Sequence, residues 1–333
     1  MVAHADVQRY AFANRDGIYR DDAYAVQASW KESLHIFAQN KGAVFGTVFL
    51  VFMILLAVFG PMMTAYTYDE VNVDAQNLPP RIAAFENFGI FNGTVKGVDM
   101  YEFTGNDGVY HWFGTDILGR DLFTRFCQGT RISLIIAAIS AVLDILIGVG
   151  YGLIAGYYGG KVDTGMMRVI EIINGIPSLV VVSLLVVVLK PGLTSIIVSM
   201  TISGWTGMSR LVRANTLRLK QSEHIMASRT LGTGTLTILF REIFPNLLSS
   251  VIVMAMMSVP NAIFMESFLS FIGLGIPAPQ ASLGSLINDG YNHMLTYPYQ
   301  LAIPAVFFAV LMLSLNLIGD GLRDALDPKQ KRV

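Results

Sequence analysis

Six side chains able to carry charge or make strong hydrogen bonds stand inside or beside long apolar runs: Asp144, Glu171, Asn261, Glu266, Asn316 and Asp320. An ionised group in such a setting costs about 3 kcal/mol or more, so it needs a partner or a polar cavity. Arg168 and Glu171 stand three residues apart, as do Asp320 and Arg323. That spacing lets each pair meet on one helix face. Asp144 and Glu266 have no partner at helical spacing. Two readings stay open for them: polar groups satisfied by packing, or groups lining a polar path together with Met257, Asn261 and Met265.

Enzymatic chemistry finds little support. No apolar run holds an HExxH-like pair or a nucleophile beside a base. Gly159-Gly160-Lys161 superficially suggests a phosphate loop, but position 155 is Ala and position 162 is Val. A phosphate loop needs Gly and Ser or Thr there. The single cysteine, Cys127, has no partner for a disulfide, and the five histidines are scattered. No metal site and no catalytic residue is expected.

These groups must be positioned by membrane helices. Hydrophobic residues make up 53% of the 333, and charged ones only 14%. A soluble domain carries roughly a quarter charged residues. The net charge of −1 implies no bulk attraction to nucleic acid. Apolar runs long enough for a bilayer, about 20 residues, cover 43–63, 132–158, 162–189, 193–209, 246–274 and 300–318. An all-α membrane protein with about six transmembrane helices is expected. Residues 1–41 are polar, which argues against a cleaved secretory signal.

Charge sets the expected orientation. Residues 65–112 carry seven acidic side chains against Arg81 and Lys96, whereas the loop after the fourth run carries Arg210, Arg213, Arg218, Lys220, Arg229 and Arg241. The chain ends Lys329-Gln330-Lys331-Arg332. The positive-inside rule then puts both termini and the basic loop in the cytoplasm. The expected organisation is a cytoplasmic tail over 1–41 and a first helix over 42–64. A small, mostly irregular extracellular cap follows over 65–131, then a five-helix core over 132–323 and a tail over 324–333.

Within the membrane, Gly148, Gly152, Gly156 and Gly160 recur every four residues. Such a strip lets a neighbouring helix approach closely. Met254, Met256, Met257 and Met265 flank Pro260. A bent, methionine-rich helix suits a channel accepting varied side chains, with ordinary core filling as the plain alternative.

The polar insert between the fourth and fifth runs keeps helical periodicity on both sides of a glycine turn. Ser222 is placed to cap a helix running to about Leu231, Gly232-Thr233-Gly234 breaks it, and Thr235–Phe240 starts another. Two short helices joined by glycine would make a lever on the cytoplasmic face.

This loop, taken over 216–245, resembles the EAA loop of ABC importer permeases. Gly232 and Pro245 hold the family spacing, and Ala227 and Leu231 match. The family glutamate falls on Met226 and its second alanine on Ser228, with Glu223 a turn earlier as the alternative carboxylate. The segment Phe113-Gly114-Thr115-Asp116-Ile117-Leu118-Gly119-Arg120-Asp121 narrows the resemblance to the C-type permease subunits of oligopeptide and dipeptide importers. So do Gly129–Leu134, Ala155–Gly160, Leu269–Gly275 and Gly319–Pro328. Ser282-Leu283-Gly284 stands where many relatives have Trp before the glycine. Residues 1–112 carry only a generic likeness.

The resemblance implies a type I ABC importer permease fold and a non-catalytic half-channel in the bacterial cell membrane. Its implied partners are a homologous second permease, two cytoplasmic ATPases that bind the ATP and Mg, and an extracellular peptide-binding lipoprotein. Glu223, Met226, Ala227, Ser228, Leu231, Gly232 and Pro245 would couple the pathway to the ATPases, and peptide would be the substrate. Relatives also carry nickel, haem or glutathione. An ion-coupled carrier or channel using Asp144 and Glu266 is the alternative from a different class.

Overall fold

A computed structural model describes residues 30–326. Most of tail 1–41, and tail 324–333 from residue 327 onward with its basic cluster, lie outside the described residues. The tail's last residues form α1 (Trp30–Gln39), which leads into α2 (Lys41–Phe59). The Asn40 side chain caps α2 by accepting from the Ala43 amide at 3.1 Å. Among helices long and apolar enough to cross a membrane, α2 has only 22% of its apolar window buried within the chain. A helix that is apolar all round and so little covered is built for lipid or for another subunit.

The cap follows. It holds 3-10 turns at Val73–Ala75 and Glu86–Phe88, the hairpin β1 (Thr94–Val95) and β2 (Val98–Asp99), and α3 (Met100–Phe103). Thr94 pairs with Asp99, and Val95 with Val98. The expected irregular cap with little strand is what the chain forms. Its small core is Ala75, Leu78 and Tyr101, with the Tyr101 hydroxyl donating to the Pro79 carbonyl at 2.8 Å.

The cap ends earlier than expected, because α4 spans Leu122–Tyr158 rather than starting at Ile132. The Asp121 carboxylate caps it, accepting from the Thr124 amide at 2.8 Å. Residues 122–131 read as polar because Arg125 and Arg131 interrupt them. Those charges are met at the cap end: Arg125 by Asp116 and Asp289, and Arg131 by the carbonyls of Ala57 and Val58. At 37 residues α4 is about 55 Å long.

The expected single span over 162–189 is two helices, α5 (Gly160–Gly175) and α6 (Ser178–Leu189), bent by 78°. Pro177 is the cause: it pushes the preceding residue out of the helical region, and Ile176 has φ −92°, ψ 125°. Lys190-Pro191-Gly192 then turns the chain into α7 (Leu193–Leu219). α7 is long enough to cross but is diluted by serine, threonine and glycine. Among the described residues four helices are therefore long and apolar enough to cross a membrane, or five with the bent pair, against the six expected. α7 still runs beside α4 as its most extensive partner. Gly148, Gly152 and Gly156 face Met208, Val212 and Thr216 there. The glycine strip is thus a packing seam, and Gly160 lies outside it, at the start of α5 with open space around it.

After α7 come α8 (Glu223–Thr230), α9 (Thr235–Thr237), a π-helical stretch over Ile238–Ile243, and α10 (Phe244–Phe271). The expected second short helix is not free-standing, because 235–271 runs on as one 37-residue helical segment. Pro245 explains the wide turn. It has no N–H to donate and its ring crowds the preceding turn, strain that a π-bulge relieves. α11 (Leu283–Asn292) begins with a capping box between Ser282 and Ser285, and α12 (Pro298–Leu326) closes the bundle against α2. Gly321 of α12 meets the Ala43 and Phe37 side chains, so the bundle closes only around a missing Cβ.

Candidate functional site

Two regions gather the residues singled out in the sequence. One is a cavity of about 240 Å³ between α4, α6, α7 and α10. Its wall includes Asp144, Met257, Asn261 and Met265, bringing together four of the five pathway candidates. Met254 also lines it, whereas Met256 does not. Ser178 and Val182, just past the α5–α6 break, complete one side. Irregular backbone at membrane depth is tolerated where it borders a cavity rather than lipid.

Asp144 sits about 33 Å along α4 from Leu122, at 1.5 Å per residue. It is 8% exposed, its Oδ1 has no hydrogen-bond partner, and its carboxylate lies against Gly204 of α7. The sequence reading missed Ser140, Ser199, Ser203, Ser258, Met200 and Gly204 on the same wall. A signal existed: Ser195, Ser199 and Ser203 recur every four residues along α7.

Glu266 is elsewhere. It is fully buried, and the lack of a partner expected from local spacing does not hold. Ser133 Oγ and Ser270 Oγ each donate to its carboxylate at 2.8 Å, and Ser267 Oγ does so at 3.4 Å. Ser282 Oγ then donates to Ser270 Oγ at 3.1 Å, and the Leu283 amide reaches Ser133 Oγ at 3.3 Å. This cluster ties α4, α10 and the start of α11 together outside the cavity. Gly284 is needed beside it, because a Cβ there would meet the Ser267 backbone. Arg168 and Glu171 pair at 2.6 Å as their spacing suggested. Asp320 and Arg323 form no ion pair among the described residues.

The second region is the loop at the far end of α4 from the cap. Lys220 Nζ fixes it, donating to the carbonyls of Gly156 and Tyr157 at 2.9 and 3.2 Å. Ser222 is at the N-cap position of α8, but its hydroxyl turns back to the Leu219 carbonyl at 2.6 Å rather than capping. Ile225, 2% exposed, plugs α8 into a core of Val149, Leu153, Met208, Val212, Ile238 and Ile243. Glu223, Met226, Ala227, Leu231, Gly232 and Pro245 are all exposed, and Ser228 is half-buried. Leu231 is 85% exposed, and Leu236 and Phe240 are 70% and 61%. Gly232 takes φ +82°, which closes the turn after α8. The result is a short helix held rigidly from below, with an apolar rim above. Exposed apolar groups so clustered mark an interaction surface.

The segment over 113–121 is an anchor between cap and bundle. Thr115 Oγ1 accepts from the Leu78 amide at 2.8 Å and donates to the Ala75 carbonyl at 2.5 Å. Asp116 accepts from the Leu118 and Arg120 amides at 2.8 and 3.0 Å, and from Arg120 Nε at 2.7 Å. Gln300 of α12 donates to Asn77 and to the Thr115 carbonyl, both at 3.0 Å.

Comparison with known proteins agrees with this geometry. Residues 148–332 match the family of binding-protein-dependent transport system inner membrane components. Residues 29–80 match the N-terminal TM domain of oligopeptide transport permease C, so the first helix carries more than generic likeness. The chain is 44% identical over 303 residues to the oligopeptide transport system permease protein OppC of Bacillus subtilis (strain 168), covering 91% of this chain and 90% of that one. It is 42% identical over 318 residues to the dipeptide transport system permease protein DppC of the same organism, covering 95% and 90%. Among solved structures, inward-facing MetNI methionine ABC transporter shares the fold at 18% identity and a TM-score of 0.50, over 61% of this chain and 96% of that one. Extended relatedness over nearly the whole chain, joined to a membrane bundle with a docked loop helix, places this protein in the family of binding-protein-dependent transport system inner membrane components, as a permease of the oligopeptide and dipeptide C type.

Proposed function

We propose that this chain is the transmembrane permease subunit of an ATP-driven peptide importer, forming half of the translocation pathway. The names of its relatives support peptide as the substrate class. The observation that carries the coupling role is α8. One side is buried through Ile225, while Met226, Leu231, Leu236 and Phe240 stay uncovered. A helix packed this way transmits a push to α4, α7 and α10 instead of flexing. Two ATPase subunits, holding ATP and Mg, dock on that rim from the cytoplasm. A homologous second permease completes the pathway, and an extracellular peptide-binding lipoprotein docks at the cap. Both termini are cytoplasmic. Nucleotide then biases a two-state bundle between inward- and outward-facing forms.

The test is purification of the full importer with Leu231→Asp and Leu236→Asp together. Loss of ATPase subunits from the complex, with the second permease retained, is the expected result. Retention of ATPases with normal peptide uptake would remove α8 from the coupling role. A Thr233→Cys reporter should be labelled only from the cytoplasmic side, and labelling from outside intact cells would reverse the topology. An ion-coupled carrier is less well supported, since the serines around Glu266 leave only Asp144 of its two acidic groups facing a cavity.

A further inference from the structure

Asp144 is the only ionisable side chain on the cavity wall among the described residues: no lysine, arginine or histidine lines it. The rest of the lining is serine, asparagine, glycine, alanine, valine and methionine. A carboxylate that is nine-tenths buried and unpaired is a costly feature to keep in a membrane bundle. The carboxylate fills the space left by Gly204, whose missing side chain makes room for it. An asparagine of the same shape would fill the position without the charge. Oδ1 is buried and has no donor from the protein, and the Asp144 side chain borders the same space as Ser140, Ser199, Ser203 and Ser258, of which Ser199 and Ser258 already donate to the carbonyls of Ser195 and Ala255. A bare anion with neutral polar neighbours and flexible methionines beyond is suited to a cationic head on a variable apolar body. An ammonium supplies three N–H donors, and charge-assisted hydrogen bonds are roughly twice as strong as neutral ones.

We propose that Asp144 selects substrates bearing an alkylammonium group, whether a peptide amino terminus or a lysine side chain, by accepting that group's hydrogen bonds within the cavity. The inference rests on the peptide-import reading above and adds a chemical filter in the membrane itself. Methionines 254, 257 and 265 provide the adaptable surface that lets the remaining side chains vary.

The test uses the complete importer in proteoliposomes, with ATP-driven uptake of trialanine, N-acetyl-trialanine and N-acetyl-Ala-Lys-Ala. In the wild type, kcat/KM favours the ammonium-bearing peptides. In Asp144→Asn that preference falls on the order of tenfold, the scale of one hydrogen bond to a charged group, while Asp144→Glu retains it. Gly204→Ala, which pushes the carboxylate aside without removing charge, lowers the same preference. A change confined to trialanine assigns the site to the peptide amino terminus, and one confined to the lysine peptide assigns it to the side chain. An unchanged preference in Asp144→Asn overturns the proposal. So does failure of that variant to assemble with the second permease, which would make Asp144 a subunit contact. Absence of ATP-driven uptake of every peptide by the wild-type complex would instead refute the import reading.

Discussion

Arg213 on α7 grips Asp163 on α5 through two donors, Nε to Oδ1 and Nη2 to Oδ2, the latter at 2.6 Å. The pair spans 50 residues of sequence and closes the end of the bundle where α8 docks. Its fork geometry fixes direction as well as distance. With the Arg213 side chain 31% exposed, solvent screens part of the attraction. A double-mutant cycle of Asp163→Asn and Arg213→Gln should show a coupling energy of about 1 kcal/mol by thermal unfolding in detergent. Additivity of the two changes would mean the pair contributes nothing to holding α5.

The seam between α4 and α7 makes a sharper claim. At Gly152 an added Cβ would lie 2.7 Å from Val212 Cβ, and at Gly148 it would lie 2.6 Å from Met208 Cβ. Gly152→Val should destabilise the protein by about 1–3 kcal/mol through overpacking. Gly150→Ala, facing open space on the same helix, should be neutral or slightly stabilising. Equal melting temperatures for the two variants would contradict close approach of the helices.

Gly232 has φ +82°, and its amide donates to the Arg229 carbonyl at 3.1 Å. Proline can meet neither condition, since it fixes φ near −65° and lacks the N–H. Gly232→Pro should leave membrane insertion intact and abolish uptake. Uptake with normal ATP consumption would show that force does not pass through this turn.

Removing the Glu266 carboxylate leaves three serine hydroxyls without their shared acceptor. Glu266→Ala should cost about 2–3 kcal/mol of stability, with Glu266→Gln milder because it keeps an acceptor oxygen. Thermal unfolding compares the two. A Glu266→Ala protein as stable as wild type, but with altered substrate preference, would return this residue to the pathway.

Asp69, Glu70 and Asp74 are all exposed on the cap. Reversing their charge should weaken stimulation of ATP hydrolysis by the binding protein, most visibly at low salt where exposed charges are least screened. Unchanged stimulation at low ionic strength would exclude these carboxylates from docking.

Much of this protein was legible in its residues because the relevant physics is local. Apolar length marked the membrane runs, and the glycine at 232 marked the end of the loop helix. The missing glycine and hydroxyl around Gly159-Gly160-Lys161 excluded a phosphate loop. Features that depend on which elements meet were not legible. Helical period says which side chains share a face, but not what arrives opposite that face. One of Glu266's partners, Ser133, is 133 residues away, so local spacing left the carboxylate looking unpaired. Asp144 gave the same local signal and kept it, because α7 brings a glycine to it and no donor. Pro177 divides the run that read as one span over 162–189, and only the packed helices show that the break borders a cavity. The run after Gly234 read as a separate short helix over Thr235–Phe240, ahead of Pro245. The π-turn absorbs that proline and carries the helix through, a solution stabilised by Ile238, Leu239 and Ile243 burying themselves against α4 and α7. Composition and period thus settled the class of protein and the rough places of its apolar runs, while long-range contact decided where helices break or run on, which charges are satisfied and which one borders an open space.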